Sequence, residues 1–513
     1  MSTSVFEIIG PIMVGPSSSH TAGMARIGLM ANQIAALDLE HITLRMSPVL
    51  KTTYHGHRTD AALVAGAMGW AEDSPLLRHS LELAPEQGIG IDYAFYPPNI
   101  YHPNAVQLEM RGKNGEEVSV RGISIGGGSL CIEAIDEQKI LLESDQYNLV
   151  LWGEGAKAAA ESVADGEKRH AESISVVAFK TAPADSLMGV MSRMPGVSRV
   201  RLVKPVLTYG ATVSELLKLS RYEDAVKLCS ERGLTLPELA MQYEMDRSSF
   251  SREDIRALMH KELEIMRRAV DTGVNGKNEM LYGLTSGCDG KRLMGVAKEG
   301  KTISGGIVPV AVAKALGVME YNASMGCIVA APTAGSAGIV PGCMFTLQEE
   351  HGFSDDEIVD ALFVSAITGV IMAHRNVSFS GAVGGCQGEV GVSSAIAAAG
   401  IASLFSKDPA VIFEAMGMCM KNLLGLVCDP IAGPIEVPCI KRNAVGVANA
   451  FISADMACAG IASYIPPDEV IDALIDVQKR LPMELRATTI GGLACSHTGV
   501  CLREKLKSEL VDA

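Results

Sequence analysis

The chain has 513 residues, with Lys+Arg 44 against Asp+Glu 59 for a formal net charge of -15. That acidic balance, without any Lys/Arg block, argues against nucleic acid or an anionic membrane surface as a partner. A hydrophobic content of 48% with 20% charged residues excludes a disordered chain, and the length predicts roughly two to four domains. Aromatic residues make up only 5%, while Gly 52 and Met 25 are plentiful, so the core is expected to bring helices together through small side chains. Residues 1–7 show no basic segment followed by an apolar run, and charge-free stretches such as 321–348 are interrupted by Gly, Ser, Thr and Pro. A soluble, cytoplasmic chain is expected, its 12 cysteines being thiols or ligands rather than disulfides.

In chain order, Ala22–Leu37 has helical apolar spacing, His41–Ser47 alternates as a strand, and a helix starts near Asp60. Period-two stretches at Asp92–Tyr96, Ala105–Arg111 and Glu117–Ser124, with Lys113-Asn-Gly115 as a hairpin turn, predict an antiparallel sheet. Residues 1–150 therefore read as an α+β domain. Residues 151–205 read as a small α/β extension, with strand Ser173–Phe179, helix Asp185–Met194 and strand Val197–Val203. Residues 206–274 are charged and amphipathic, a helical connector with solvated faces. From 275 to 513 strand patterns vanish, and Gly/Ser/Pro-rich loops alternate with helices at Pro309–Leu316, Ile358–Ala373, Val392–Leu404, Ala410–Asn422, Ala444–Ala459 and Asp468–Lys479.

Three cysteines sit in Gly/Pro-flanked loops rather than on apolar helix faces: Cys386 in Gly384-Gly-Cys-Gln-Gly-Glu389, Cys428 in Leu426-Val-Cys-Asp-Pro430, and Cys439 in Val437-Pro-Cys-Ile440. Their spacing fits neither a zinc ribbon nor a ferredoxin run, so spacing alone leaves inert thiols and a shared metal site both open. Gly15-Pro-Ser-Ser-Ser-His-Thr-Ala-Gly23 precedes a helix, and reads either as a Ser/Thr cap or as an anion-holding turn with His20 at hand. His57, in Tyr54-His-Gly-His-Arg-Thr-Asp60, and His102, in His102-Pro-Asn104, occupy similar polar loops. Ala331-Pro-Thr-Ala-Gly-Ser-Ala-Gly338, Leu284-Thr-Ser-Gly-Cys-Asp289 and Ser378-Phe-Ser-Gly381 are either tight packing loops or further donors of hydroxyls and amides.

Taken together these motifs resemble the iron–sulfur-dependent L-serine dehydratases (L-serine ammonia-lyases), with the family's small and large segments on one chain. The small-segment marks are Gly15–Thr21, Gly56-His-Arg-Thr-Asp60, His102-Pro-Asn104 and Ser124-Ile-Gly-Gly-Gly128. Those of the large segment are Ala331–Ile339, Ser380–Glu389, Cys428-Asp-Pro430 and Val437–Ala444. The resemblance implies an allosteric-substrate-binding-like α+β N-terminal domain and a mostly α-helical catalytic domain. It makes Cys386, Cys428 and Cys439 the ligands of a 4Fe–4S cluster with one open iron, without pyridoxal phosphate. It further suggests that 151–205 is ACT-like and that the chain forms a homodimer. Many members end in a cysteine that can occupy the open iron position; this sequence departs from them by running on past Cys495 and Cys501, which could only imitate that role.

The implied reaction is β-elimination of water from L-serine, giving pyruvate and ammonia. A loop histidine suits removal of the Cα proton, His57 ahead of His20, because an ordinary imidazole titrates near roughly 6.5. Ser18, Ser19, Thr21, His102, Asn104, Thr285, Ser286, Thr333 and Gly335 are the expected holders of the substrate's carboxylate and amino groups. The same chemistry on L-threonine or L-cysteine, or a cluster-bearing amino-acid sensor without turnover, are the alternatives.

Overall fold

A computed structural model of the chain describes residues 3–97, 102–126, 128–206, 215–248 and 250–511. Of the expected features, Gly127 of the Ser124–Gly128 run and residues 207–214 and 249 of the expected connector lie outside the described residues. The chain separates into two compact units, one of residues 19–211 and one of residues 1–18 with 212–513.

The 19–211 unit is built on a six-stranded sheet. Its order is Gly90–Phe95, Leu39–Met46, Ala105–Gly112, Glu117–Gly126, Ser129–Ile135 and Gln138–Glu143, and only the first pair is parallel. The strands form where alternation puts Ile42, Leu44 and Met46, or Leu130, Ile132 and Ala134, on buried faces. The helices Gly23–Ala35 and Thr59–Ala67 lie in intimate contact, and glycine permits it. A Cβ on Gly66 would stand 2.0 Å from the Ala25 carbonyl oxygen, and one on Gly28 2.5 Å from that of Leu63. This helix pair carries the His20 loop at the start of one helix and the His57 loop at the start of the other.

The same unit holds a second, four-stranded antiparallel sheet, ordered Arg199–Val203, Tyr147–Trp152, Ile174–Phe179, Glu167–His170. With the helices Ala156–Glu161 and Ser186–Met191 it forms a β-α-β-β-α-β, ferredoxin-like unit. Leu149, Leu151, Ala159, Val177, Met191 and Val200 make its core. The strand Tyr147–Trp152 straddles the boundary expected at 150, because its continuous apolar run belongs to this sheet.

The other unit is helical. Val392–Phe405 has no polar face and is surrounded by Ile339–His351, Asp355–His374, Pro409–Lys421 and Cys439–Cys458. Ala395, Ala397, Ala398, Ala399 and Ala402 are fully buried along it, and its serines are satisfied inside: Ser394 Oγ donates to the Gly446 carbonyl at 2.7 Å. Asp355–His374 and Gln387–Phe405 are long and apolar enough to cross a membrane, but 78% and 83% of their most apolar stretches are buried, as in the core helices of a globular unit. Ser354 fixes the start of Asp355–His374 with a capping box: its N–H donates to Glu357 Oε2 at 2.8 Å, and the Glu357 N–H donates to Ser354 Oγ at 3.3 Å.

Two expectations need correction here. The segment 206–274 is not a solvated connector over its described residues: Tyr222–Arg232, Leu236–Arg247 and Arg252–Asn275 bury Tyr222, Leu239, Tyr243, Met259 and Met266 in the helical unit. Nor do residues 1–18 group with the α+β part. Ile12–Val14 pairs antiparallel with Cys327–Val329, a strand in the region where none was expected, and Glu244, fully buried, accepts from Ser4 Oγ and the Val5 N–H, each at 3.0 Å.

Candidate metal centre

In the helical unit, three loops bring the expected cysteines together. Gly385 takes a left-handed φ of +73°, where a Cβ would stand 2.5 Å from Leu481 Cδ2, and the chain then turns into Cys386 and a π-helical turn, Gln387–Gly391. The Gln387 N–H donates to the Leu426 carbonyl at 2.9 Å, and the Gly425 N–H donates to Gln387 Oε1 at 2.9 Å, fastening this turn to the Cys428 loop. Cys428 is held from its other side: its N–H donates to Leu485 O at 2.8 Å, and its carbonyl accepts from the Ala487 N–H at 2.7 Å. Cys439 opens the helix Cys439–Cys458, and the Ile431 N–H to Val437 O bond at 2.9 Å closes the loop between Cys428 and Cys439.

The tightest group consists of Cys386 Sγ, Cys428 Sγ and a Glu389 carboxylate oxygen, all within 4.8 Å of one another. Glu389 was not singled out from the sequence. It follows Cys386 by three residues, and the π-helical turn returns its carboxylate to the thiols. Cys439 is outside this triangle but close enough to act electrostatically on Cys428. A hydrogen bond with Cys386, then burial, then the charges of Cys386, Glu389 and Cys439 hold the Cys428 thiol well above its ordinary pKa. Burial, followed by the charges at Cys386 and Glu389, does the same for Cys439. Burial raises Glu389 to about 7, against a hydrogen bond from Thr333 and the charge of Arg442.

Arg442, one turn into the helix from Cys439, is the local cation. Its Nη1 donates to Cys386 Sγ at 3.4 Å and to Val427 O at 2.7 Å, and its Nη2 pairs with Asp429 Oδ1 at 2.7 Å. Asp429 Oδ2 in turn accepts from the Leu493 N–H at 2.8 Å. One guanidinium, already engaged by Asp429, would not neutralise three thiolates and a carboxylate if these were all ionised together. A soft metal centre would supply the missing positive charge, since metal binding deprotonates thiols such as Cys428 and Cys439 that burial otherwise keeps neutral. Glycine lets the backbone come close to these ligand atoms: a Cβ on Gly381 would stand 2.6 Å from Glu389 Oε2 and 3.1 Å from Cys428 Sγ, and one on Gly335 3.3 Å from Glu389 Oε1. The donor set fits a thiolate-held iron–sulfur centre. Cys495 and Cys501 are exposed, and Cys501 Sγ lies 3.9 Å from His497 Nε2.

Other expected site residues of this unit surround the centre or adjoin it. Thr333 Oγ1 is 3.1 Å from Ser336 Oγ, and the Ala334 N–H points at Ser18 Oγ at 3.4 Å. Asn443 Nδ2 donates to Gly335 O at 3.0 Å and to Cys439 O at 3.1 Å, tying the Gly335 turn to the cysteine turn. Thr285 and Ser286 lie on a loop whose amides bind Glu436, and Ser286 Oγ donates to Asp289 Oδ1 at 2.7 Å.

The histidines gather in the 19–211 unit. The rings of His20 and His57 are 4.6 Å apart between centroids, Ser19 Oγ is 3.2 Å from His20 Nδ1, and Thr21 Oγ1 donates to the His57 carbonyl at 2.7 Å. The Asn104 N–H donates to His102 Nδ1 at 3.1 Å, and Asn104 also hydrogen-bonds His20. Burial lowers His20 to about 4, the Asn104 bond only partly opposing it, so its imidazole is neutral at pH 7. Burial also lowers His102. Beside them the fully buried Asp60 carboxylate meets His55 Nδ1 at 2.7 Å.

Residues 231–494 match the sequence model of the serine dehydratase alpha chain, and residues 4–76 that of the serine dehydratase beta chain. Among similar proteins, a probable L-serine dehydratase alpha chain of Bacillus subtilis is 43% identical over 284 residues, covering 55% of this chain and 94% of that protein. The L-serine dehydratase alpha chain of Peptoniphilus asaccharolyticus is 38% identical over 291 residues, or 57% and 99%. An L-serine dehydratase of Streptomyces coelicolor is 28% identical over 517 residues, aligning with 96% of this chain and 99% of its own. Beta-chain and alpha-chain segments thus follow one another on a single polypeptide, and the chain belongs to the L-serine dehydratase family.

Proposed function

We propose that this chain is an L-serine ammonia-lyase that removes the Cα proton and the β-hydroxyl of L-serine as water. The resulting 2-aminoacrylate tautomerises to an imine, which takes up water to give pyruvate and ammonia. The observation that carries the reading is the convergence of Cys386, Cys428 and Glu389 within 4.8 Å beside Cys439 and a single guanidinium. On this reading Cys386, Cys428 and Cys439 hold a 4Fe–4S cluster. Such a centre, with one iron left open by the protein, supplies Lewis acidity toward an alcohol that leaves poorly as hydroxide.

The chain's own residues supply the rest. His57 takes the Cα proton, with His20, neutral at pH 7, as its neighbour in the ring pair. His102 and Asn104, with the hydroxyls and amides of Ser18, Ser19, Thr21, Thr285, Ser286, Thr333 and Gly335, bind the amino and carboxylate groups. Arg442 offsets thiolate charge and fixes the Cys386 and Cys428 loops through Val427 and Asp429. We assign the β-α-β-β-α-β unit at 147–203 the ACT-like role, and place the enzyme as a homodimer in the cytoplasm.

The test is anaerobic reconstitution with iron and sulfide, followed by assay of L-serine, L-threonine and L-cysteine. Equal yields of pyruvate and ammonia from L-serine, at the highest kcat/KM of the three, are expected. Full iron and sulfide with bound serine and no pyruvate would favour the sensor reading instead.

A further inference from the structure

The loop before the helix Asp289–Lys298 is held by a carboxylate from the metal-ligand segment. Glu436 is 1% exposed and lies three residues before Cys439. Its Oε1 accepts from the Tyr282 N–H at 3.0 Å, and its Oε2 from the Leu284 and Thr285 N–H groups at 2.8 and 3.1 Å. Three amides of the loop converge on one carboxylate, which compensates the cost of burying it. Gly283 and Gly287 have φ of +62° and +66°, Leu281 is exposed, and no regular element spans 277–288. The far end of the loop is fastened separately: Glu320 accepts from the Asp289 N–H at 2.7 Å, and Lys441, two residues after Cys439, reaches Asp289 Oδ2 at 3.2 Å.

We propose that Glu436 is a positioning residue that docks the 282–290 loop, with Thr285 and Ser286, onto the segment that presents Cys439. Substrate affinity and metal-ligand geometry are thereby built on the same stretch of chain. The inference rests on the proposed serine reaction for its kinetic consequence, whereas the clamp itself is readable without turnover. In Glu436→Gln an amide NH2 faces at least one backbone N–H, so the clamp opens while side-chain volume is kept.

For the reconstituted full chain, Glu436→Gln is expected to raise KM for L-serine about tenfold with kcat within about threefold of wild type, the loss of one or two charge-assisted bonds appearing as loop order. Iron and sulfide contents are expected to equal those of wild type, and hydrogen exchange is expected to quicken in 282–290 but not in Cys439–Cys458. Lys441→Met, which removes a largely exposed side chain, is expected to raise KM about two- to threefold by cutting the second tie. An unchanged KM with a protected loop overturns the proposal, and so does a KM change that comes with lost iron, which would make Glu436 a support for Cys439 alone. If Glu436→Gln does not fold, Lys441→Met decides by the same criteria. Should the wild type form no pyruvate, the proposed function falls, and the exchange comparison still decides the clamp.

Discussion

Replacing Arg442 by Met tests whether the guanidinium holds the cysteine loops through Asp429. The side chains of Arg442 and Asp429 are 15% and 4% exposed, and the pair is 2.7 Å long. Removing the cation leaves a buried carboxylate whose remaining partner among the described residues is the Leu493 N–H, and breaking such a pair from one side costs about 3–5 kcal/mol. At roughly 2 °C per kcal/mol for a unit of this size, the unfolding midpoint of the metal-free protein falls by about 6–10 °C. Adding Asp429→Asn removes the stranded charge while keeping an acceptor for Leu493, so the double variant recovers about half of the loss. Thermal unfolding followed by circular dichroism reads both. A single variant melting within about 2 °C of wild type, or a double variant melting no higher than the single, refutes the reasoning.

Other perturbations follow from the same contacts. His20 is lowered to about 4 by burial, so between pH 6.5 and about 4 the unfolded chain binds a proton that the folded chain does not. His20 by itself removes about 3 kcal/mol of stability as pH drops through that window, while Glu389, raised to about 7, works in the opposite direction. In urea unfolding at pH 7, 5.5 and 4.5 the His20 share should appear as a difference between wild type and His20→Gln that grows as pH falls. Gly381→Ala puts a methyl 2.6 Å from Glu389 Oε2 and 3.1 Å from Cys428 Sγ, and should weaken iron retention against a chelator about tenfold or more with helical content unchanged. Gly66→Ala forces the Gly23–Ala35 and Thr59–Ala67 helices apart, because its methyl meets the Ala25 carbonyl at 2.0 Å, and should destabilise the 19–211 unit by about 2 kcal/mol in urea titration.

Periodicity located the long elements well: the expected Val392–Leu404 is Val392–Phe405, and Glu117–Ser124 is Glu117–Gly126. Each has an unambiguous period or a continuous apolar run, and the buried face follows. Where a tertiary contact decides, the pattern was silent. Ile12–Val14 and Cys327–Val329 are three residues each and are strands only because they meet across more than 300 positions. The helix Ile339–His351 was hidden by Pro341, which its first turn tolerates because those N–H groups need no intrahelical acceptor. The helices Tyr222–Arg232 and Arg252–Asn275 look solvated because they are rich in charged residues, yet one apolar stripe on each buries them, and Leu236–Arg247 buries Glu244 and Arg247 as a pair.

The candidate site divides in the same way. Cys386, Cys428 and Cys439 stood out by their Gly/Pro flanks, and His20, His57 and His102 by recurrence of polar loops. Glu389, Arg442 and Glu436 did not, since acids and arginines are common and only their direction in space gives them a role. The three-residue interval from Cys386 to Glu389 and from Cys439 to Arg442 was the available signal: both partners return about one turn later, onto the same cluster of thiols.

The central claim is that deamination requires the metal centre held by the loop thiols. Iron, inorganic sulfide and pyruvate formation should be measured on one anaerobic preparation, before chelation, after it and after reconstitution, alongside Cys428→Ser. Metal content and turnover are expected to disappear and return together in wild type, and to stay absent together in the variant. Undiminished pyruvate formation from protein stripped of iron and sulfide would contradict the account.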